Sequence, residues 1–201
     1  MTKNEIERFL RLWVAEGIPF AFSIAPMIYE AVREWLAKIL NIHTKHITII
    51  GSGRIGYSMA PQPFYGKPFS SNSDLDFTIV SYELFYELCN TFNQWKQDVS
   101  QGHVKPRNDE EDKYWKVNLY QVVPNTIRRG FIDANKLPNI YPLTKLINNT
   151  RWLLGEKLKL TPKCPQFTKV SFRIYKDLTS FVNQLWISFY KTVQSFSKII
   201  G

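Results

Sequence analysis

The chain has 201 residues, 44% of them hydrophobic and 15% aromatic, which is enough for a packed core in one domain or a compact core with an appendage. No stretch of about twenty uncharged apolar residues offers a membrane span, and Cys89 and Cys164 show no metal-ligand spacing. Residues 1–100 carry nine Lys/Arg against ten Asp/Glu and residues 101–201 carry seventeen against seven, so a near-neutral half (−1) precedes a basic one (+10). Glu5 and Glu7 interrupt any signal-peptide pattern, and a cytoplasmic protein is expected.

Thr2 and Glu5 have capping-box spacing, and Ile6, Phe9, Leu10, Trp13 and Val14 recur at helical intervals until Gly17-Ile18-Pro19 ends the helix. Pro26 opens a second helix with Ile28, Val32, Trp35, Leu36 and Leu40 inward. His43 and His46 lack a third metal ligand nearby. The β-branched run Ile47-Thr48-Ile49-Ile50 predicts a buried strand leading into Gly51-Ser52-Gly53. A short helix over 54–59 and a loop with Pro61, Pro63, Gly66 and Pro68 come next. The alternation in Asp74-Leu75-Asp76-Phe77 predicts a second strand, with both aspartates on one face and Leu75, Phe77 and Ile79 on the other.

Residues 81–97 read as a helix that places Cys89 as a buried free thiol, with a disulfide as the alternative. The acidic run 109–112 reads as a solvated loop, 115–123 as an alternating strand turned by Pro124-Asn125, and Phe131-Ile132-Asp133 as a short strand. Beyond a helix around Leu146, Ile147, Leu153 and Leu154, the connector Thr161-Pro162-Lys163-Cys164-Pro165 leads to one long helix over 168–199. Its stripe runs through Val170, Ile174, Leu178, Phe181, Leu185, Phe189 and Val193, widened by Tyr175, Trp186, Tyr190 and Phe196.

Gly51-Ser52-Gly53-Arg54-Ile55-Gly56 spells the dinucleotide-binding fingerprint, but the prolines at 61–68 deny it the long helix that fold needs. No Val-Ala-Ile-Lys strand supports a kinase loop. A strand ending in Gly51-Ser52, a spacer, then Asp74-Leu75-Asp76 on a second strand resembles the nucleotidyltransferase superfamily of the DNA-polymerase-β type. The likeness covers residues 46–80, and its spacer is longer than the family's usual one.

The resemblance implies an α/β (α+β) fold: a small mixed sheet of the nucleotidyltransferase type flanked by helices, with a basic helical C-terminal part. A core over 1–140, including two N-terminal helices, would carry the site, and a basic helical region over 141–201 would pack on it. The resemblance further implies transfer of a nucleoside monophosphate from a nucleoside triphosphate to an acceptor hydroxyl of RNA, tRNA, a nucleotide or a protein. Asp74 and Asp76 would hold two Mg²⁺ ions, about 3.5–4 Å apart in such sites. Gly51, Ser52 and Gly53 would cradle the phosphates with Arg54 and Lys67 as nearby cations. Asp133 is the candidate third carboxylate, with a turn-forming aspartate as the alternative.

The ten Lys/Arg of residues 145–198, opposed by Glu156 and Asp177 alone, suit an RNA or tRNA backbone, or keep the protein in solution. A binding module that kept the fold and lost turnover is the alternative function. A toxin–antitoxin or phage-defence setting, with a protein partner or a second copy of the chain, follows from the resemblance alone.

Overall fold

The computed structural model describes residues 3–61 and 63–200, the side chains of Lys3 and of residues 13–15 and 195–200 excepted. Thr2 and the side chains of Trp13, Val14 and Phe196 therefore lie outside the described residues.

Helix α1 (Lys3–Phe9) runs into a π-helical stretch, Leu10–Ala15, and the chain turns at Gly17. Helix α2 (Pro26–Leu40) carries proline in its first turn and ends at Asn41 in the left-handed conformation. Strand β1 (Ile47–Ile50) leads directly into α3 (Ser52–Ile55). That single turn sits earlier than the predicted helix over 54–59, whose later residue Tyr57 instead bridges Pro68 across the proline loop.

Strand β2 (Leu75–Val80) starts just after Asp74, and α4 (Tyr82–Ser100) follows, capped by the Ser81 hydroxyl on the Leu84 amide. After α5 (Asp109–Val117), a π-helical stretch (Asn118–Val122) and α6 (Val123–Arg128) come strand β3 (Phe131–Ile132) and α7 (Pro142–Leu160). Strand β4 (Val170–Tyr175) and α8 (Leu178–Ile200) close the chain.

Residues 109–128 correct three expectations: the solvated loop at 109–112, the strand at 115–123 and the turn at Pro124-Asn125 are one nearly continuous helical run. The Asn108 side chain caps the Glu111 amide, and four acidic residues fill the first turn, where the helix dipole favours negative charge. Pro124 stands at the junction of the π-helical stretch and α6 with helical backbone on both sides, so it does not turn the chain.

The single helix over 168–199 is corrected as well. Its first six residues from Val170 form β4, and Asp177 restarts the chain as a helix by accepting from the Ser180 amide.

The strands form one sheet in the order β1-β2-β4-β3. Strands β1 and β2 are antiparallel with Ile50 opposite Asp76, and β2 and β4 are parallel with Asp76 opposite Ser171. Strand β3 pairs antiparallel with β4, Ile132 opposite Ile174. The result is a small mixed sheet flanked by helices, and the C-terminal region contributes one of its two central strands.

One face of the sheet presents Ile47, Ile49, Leu75, Phe77, Ile79, Val170, Phe172 and Ile174, all buried in a core with Leu36 of α2, Leu88 of α4 and Ile147 of α7. Burying such a side chain contributes roughly 1.5–3 kcal/mol. On the opposite face a smaller cluster of Leu10, Phe131, Tyr175, Phe181 and Leu185 covers one end, where α8 and the N-terminal helical stretch pack. The other end of that face carries the aspartates.

Candidate functional site

Alternation along the strands decides which side chains meet on the uncovered end. Asp76 of β2, with Asp74 just before the strand, lies on the face opposite the apolar core, and Ser171 and Arg173 of β4, with Lys169 just before it, share that face. These residues, with Ile50, Asp133, Asn135, Lys136 and Arg151, line a cavity of about 370 Å³.

Asp76 sits inside the sheet, between Ile50 of β1 and Ser171 of β4. It accepts a hydrogen bond from the Ser171 hydroxyl at 2.5 Å. Burial pushes its carboxyl above the ordinary range; the Ser171 bond opposes that shift and the nearby Asp74 charge adds to it. Asp74 stands further out, with the Lys169 ammonium 3.4 Å away.

Gly51 closes the β1 side of the carboxylates. A β-carbon there would sit 3.4 Å from Asp76 Oδ2, and its φ of +69° with ψ of −152° is a conformation that excludes other residues. The turn after β1 thus lies against Asp76, and Ser52, the next residue, opens α3.

The remaining expected ligands are placed elsewhere. Gly53 is buried in α3, where a β-carbon would come within 3.2 Å of Leu75 and 3.3 Å of Ile49, so its small size serves packing. Arg54 is 5% exposed, and its guanidinium donates to the Gly17 carbonyl at 2.6 Å, tying α3 to the end of the N-terminal helical stretch. Burial lowers its affinity for a proton. Lys67 lies over the Phe64 ring in the proline loop. None of the three lines the cavity.

Asp133 does line it, but β4 separates it from β2. Its two oxygens accept from Arg173 Nε and Nη2 at 2.7 and 2.9 Å, a bidentate pair. The Arg173 guanidinium also lies 4.5 Å from the centre of the Phe131 ring. Burial disfavours the charge on Arg173, yet the bonds to Asp133 and its charge prevail and hold the guanidinium above its ordinary value. On the two strands that do neighbour β2, the residues opposite Asp76 are Ile50 and Ser171, neither of them a carboxylate.

No family model, curated protein or solved structure matches this chain. The chemistry of the cavity therefore rests on its own residues. Among the described residues no three His, Cys, Asp or Glu side chains converge as metal ligands. Sequence reasoning missed Lys136, Arg151, Lys169, Ser171 and Arg173. The period-two placement of Lys169, Ser171 and Arg173 between Val170, Phe172 and Ile174 was the available signal.

Proposed function

We propose that the chain is a nucleotidyltransferase of the DNA-polymerase-β type, moving a nucleoside monophosphate from a nucleoside triphosphate to an acceptor hydroxyl. The observation that carries this reading is the pair Asp74 and Asp76 on one sheet face, beside a cavity and with Gly51 against Asp76. The oxygens of Asp74, Asp76 and Ser171 are hard donors, and Mg²⁺ characteristically binds through one or two carboxylates, water and substrate phosphates. The enclosed Asp76 beside a second carboxylate is a group whose charge a cation would offset. Asp74 and Asp76 fit as its holders, for two ions in the family's manner. When bound, Mg²⁺ would neutralise triphosphate charge and ease loss of the acceptor's proton.

In the overall exchange the acceptor oxygen bonds to the α-phosphorus, the α–β phosphoanhydride breaks, pyrophosphate leaves and the hydroxyl proton passes to water. Backbone N–H groups at Gly51 and Ser52 would orient the triphosphate. An RNA or tRNA acceptor reached through the basic residues 145–198, a cytoplasmic location and a defence-type setting with a protein partner or a second copy belong to the same reading.

A second reading has its own observation. Asp133 is engaged by Arg173, and Ser171 stands opposite Asp76, which favours a nucleotide- or nucleic-acid-binding module without turnover.

Incubation with Mg²⁺, each labelled triphosphate and total cellular RNA separates the two. Metal-dependent pyrophosphate release that Asp76→Asn abolishes supports the enzyme. Triphosphate binding without release supports the module. The absence of triphosphate binding, of RNA binding and of release refutes the two together.

A further inference from the structure

We infer that the β4 wall of the cavity is an anion site that takes a phosphate ester of the acceptor, with Arg173 as its principal contact and Asp133 as the positioning residue that orients Arg173. The word acceptor rests on the nucleotidyltransferase reading; the anion site does not.

The sheet order sets two sides. Asp76 lies between Ile50 of β1, whose next residue is Gly51, and Ser171 of β4. A triphosphate on the Gly51 turn occupies the first side. The second side holds the four cavity cations, Lys136, Arg151, Lys169 and Arg173. Against Asp74, Asp76 and Asp133 they leave a formal surplus of one positive charge, and any divalent cation on the aspartate pair enlarges it. A wall of that charge, beside the carboxylates but away from the Gly51 turn, is complementary to a second anion.

The cations are also held ready. Asp133 fixes one edge of the Arg173 guanidinium and the Phe131 ring lies 4.5 Å from it, while the side chain keeps 36% of its surface exposed. A planar fork already fixed by an acid and a ring loses little freedom when a phosphate docks. Arg151 donates to the Val170 carbonyl at 3.2 Å, and its Nε is buried without a hydrogen-bond partner. Lys136 lies 5.6 Å from the centre of the Tyr114 ring. The volume, about 370 Å³, is at the lower end of small-ligand sites and suits one nucleotide-sized group. The ester could be the terminus of a nucleic acid or a small phosphorylated compound; the chemistry recognised is the same.

The test uses the full chain with Mg²⁺ and two probes, inorganic phosphate and a short fluorescein-labelled single-stranded oligoribonucleotide. Arg173→Lys should weaken the tighter probe about tenfold, since a lysine cannot reproduce the fork. Lys136→Ala, at a half-exposed position that does not endanger the fold, should weaken it about threefold. Asp133→Asn should weaken it as Arg173→Lys does and Asp133→Glu should restore it, whereas Mg²⁺–triphosphate affinity stays within about twofold in all four variants.

An oligoribonucleotide preferred over phosphate, with a log–log salt slope steeper than about −2, assigns a nucleic-acid acceptor. A slope near about −0.7 with full competition by phosphate assigns a small one. Probe affinity unchanged in both Arg173→Lys and Lys136→Ala, or no binding of either probe to the wild type, overturns the anion site. Arg173-dependent binding without any pyrophosphate release leaves the site standing while the nucleotidyltransferase reading falls.

Discussion

Replacing Phe172 by alanine tests the assignment that builds the site, namely that residues 170–175 form a strand between β2 and β3. Phe172 is 4% exposed, and its ring meets that of Phe77 edge-on at 6.0 Å. Truncating a buried phenylalanine loses transfer free energy and leaves a cavity, together costing about 3–5 kcal/mol, the ring pair included. In a chain of this size each kcal/mol moves Tm by about 2–4 °C, so the expected fall is about 6–20 °C. In urea, with a slope of about 2 kcal/mol/M, the midpoint should drop by roughly 1.5–2.5 M.

Leu178→Ala is the control, because Leu178 is 60% exposed at the start of α8 and its loss should cost no more than about 0.5 kcal/mol. A continuous helix over 168–199 reverses the order. It places Leu178 in the buried stripe with Val170, Ile174 and Phe181 and leaves Phe172 off it. Equal or larger destabilisation by Leu178→Ala, read by circular dichroism melts of both variants, would refute the strand and the site built on it.

Asp76→Asn should be at least as stable as the wild type at neutral pH without metal. The folded carboxyl is held above its ordinary value, so its contribution is greatest in acid and is lost as pH rises through that raised value. The melting-temperature gap should open with rising pH in favour of the asparagine, and added Mg²⁺ should raise the wild type alone; a less stable variant at pH 7 contradicts this. Arg54→Met removes the donor to the Gly17 carbonyl and should cost about 1–3 kcal/mol while triphosphate affinity holds within about twofold. Weakened triphosphate binding with an unchanged melt would return Arg54 to the site. Burial pushes the Cys89 thiol up to about 11. In a Cys164→Ser background at pH 8, its thiolate fraction is about one in a thousand, against about one in four for a free cysteine, so alkylation should accelerate at least a hundredfold on unfolding. Similar folded and unfolded rates would show an accessible, ordinary thiol.

The local signals that survived into the structure are those with a single physical solution. Pro26 fits a first helical turn without losing a hydrogen bond, and α2 starts there. Four β-branched residues ending in Gly51 become β1 and its tight exit, and the Asp74–Ile79 alternation sets its two faces as expected. Spacings of four residues admit two solutions, because four is close to the helical period of 3.6 and is also twice the strand period. Trp115, Leu119 and Val123 carry such a spacing, and so do Val170, Ile174 and Leu178. The residues between decide each case, and they do so through packing.

Val117 is left 46% exposed, so its segment is helical, whereas Phe172 is buried and its segment is a strand. That difference comes from tertiary partners: β4 finds a hydrogen-bonding strand on either side, while the Asn108 cap and acidic first turn give α5 a helical start. The site divides along the same line. Asp74, Asp76 and Gly51 meet through a short antiparallel pairing whose residues the chain itself names. Ser171 and Arg173 reach Asp76 and Asp133 across 95 and 40 residues, and only the insertion of β4 beside β2 brings them there.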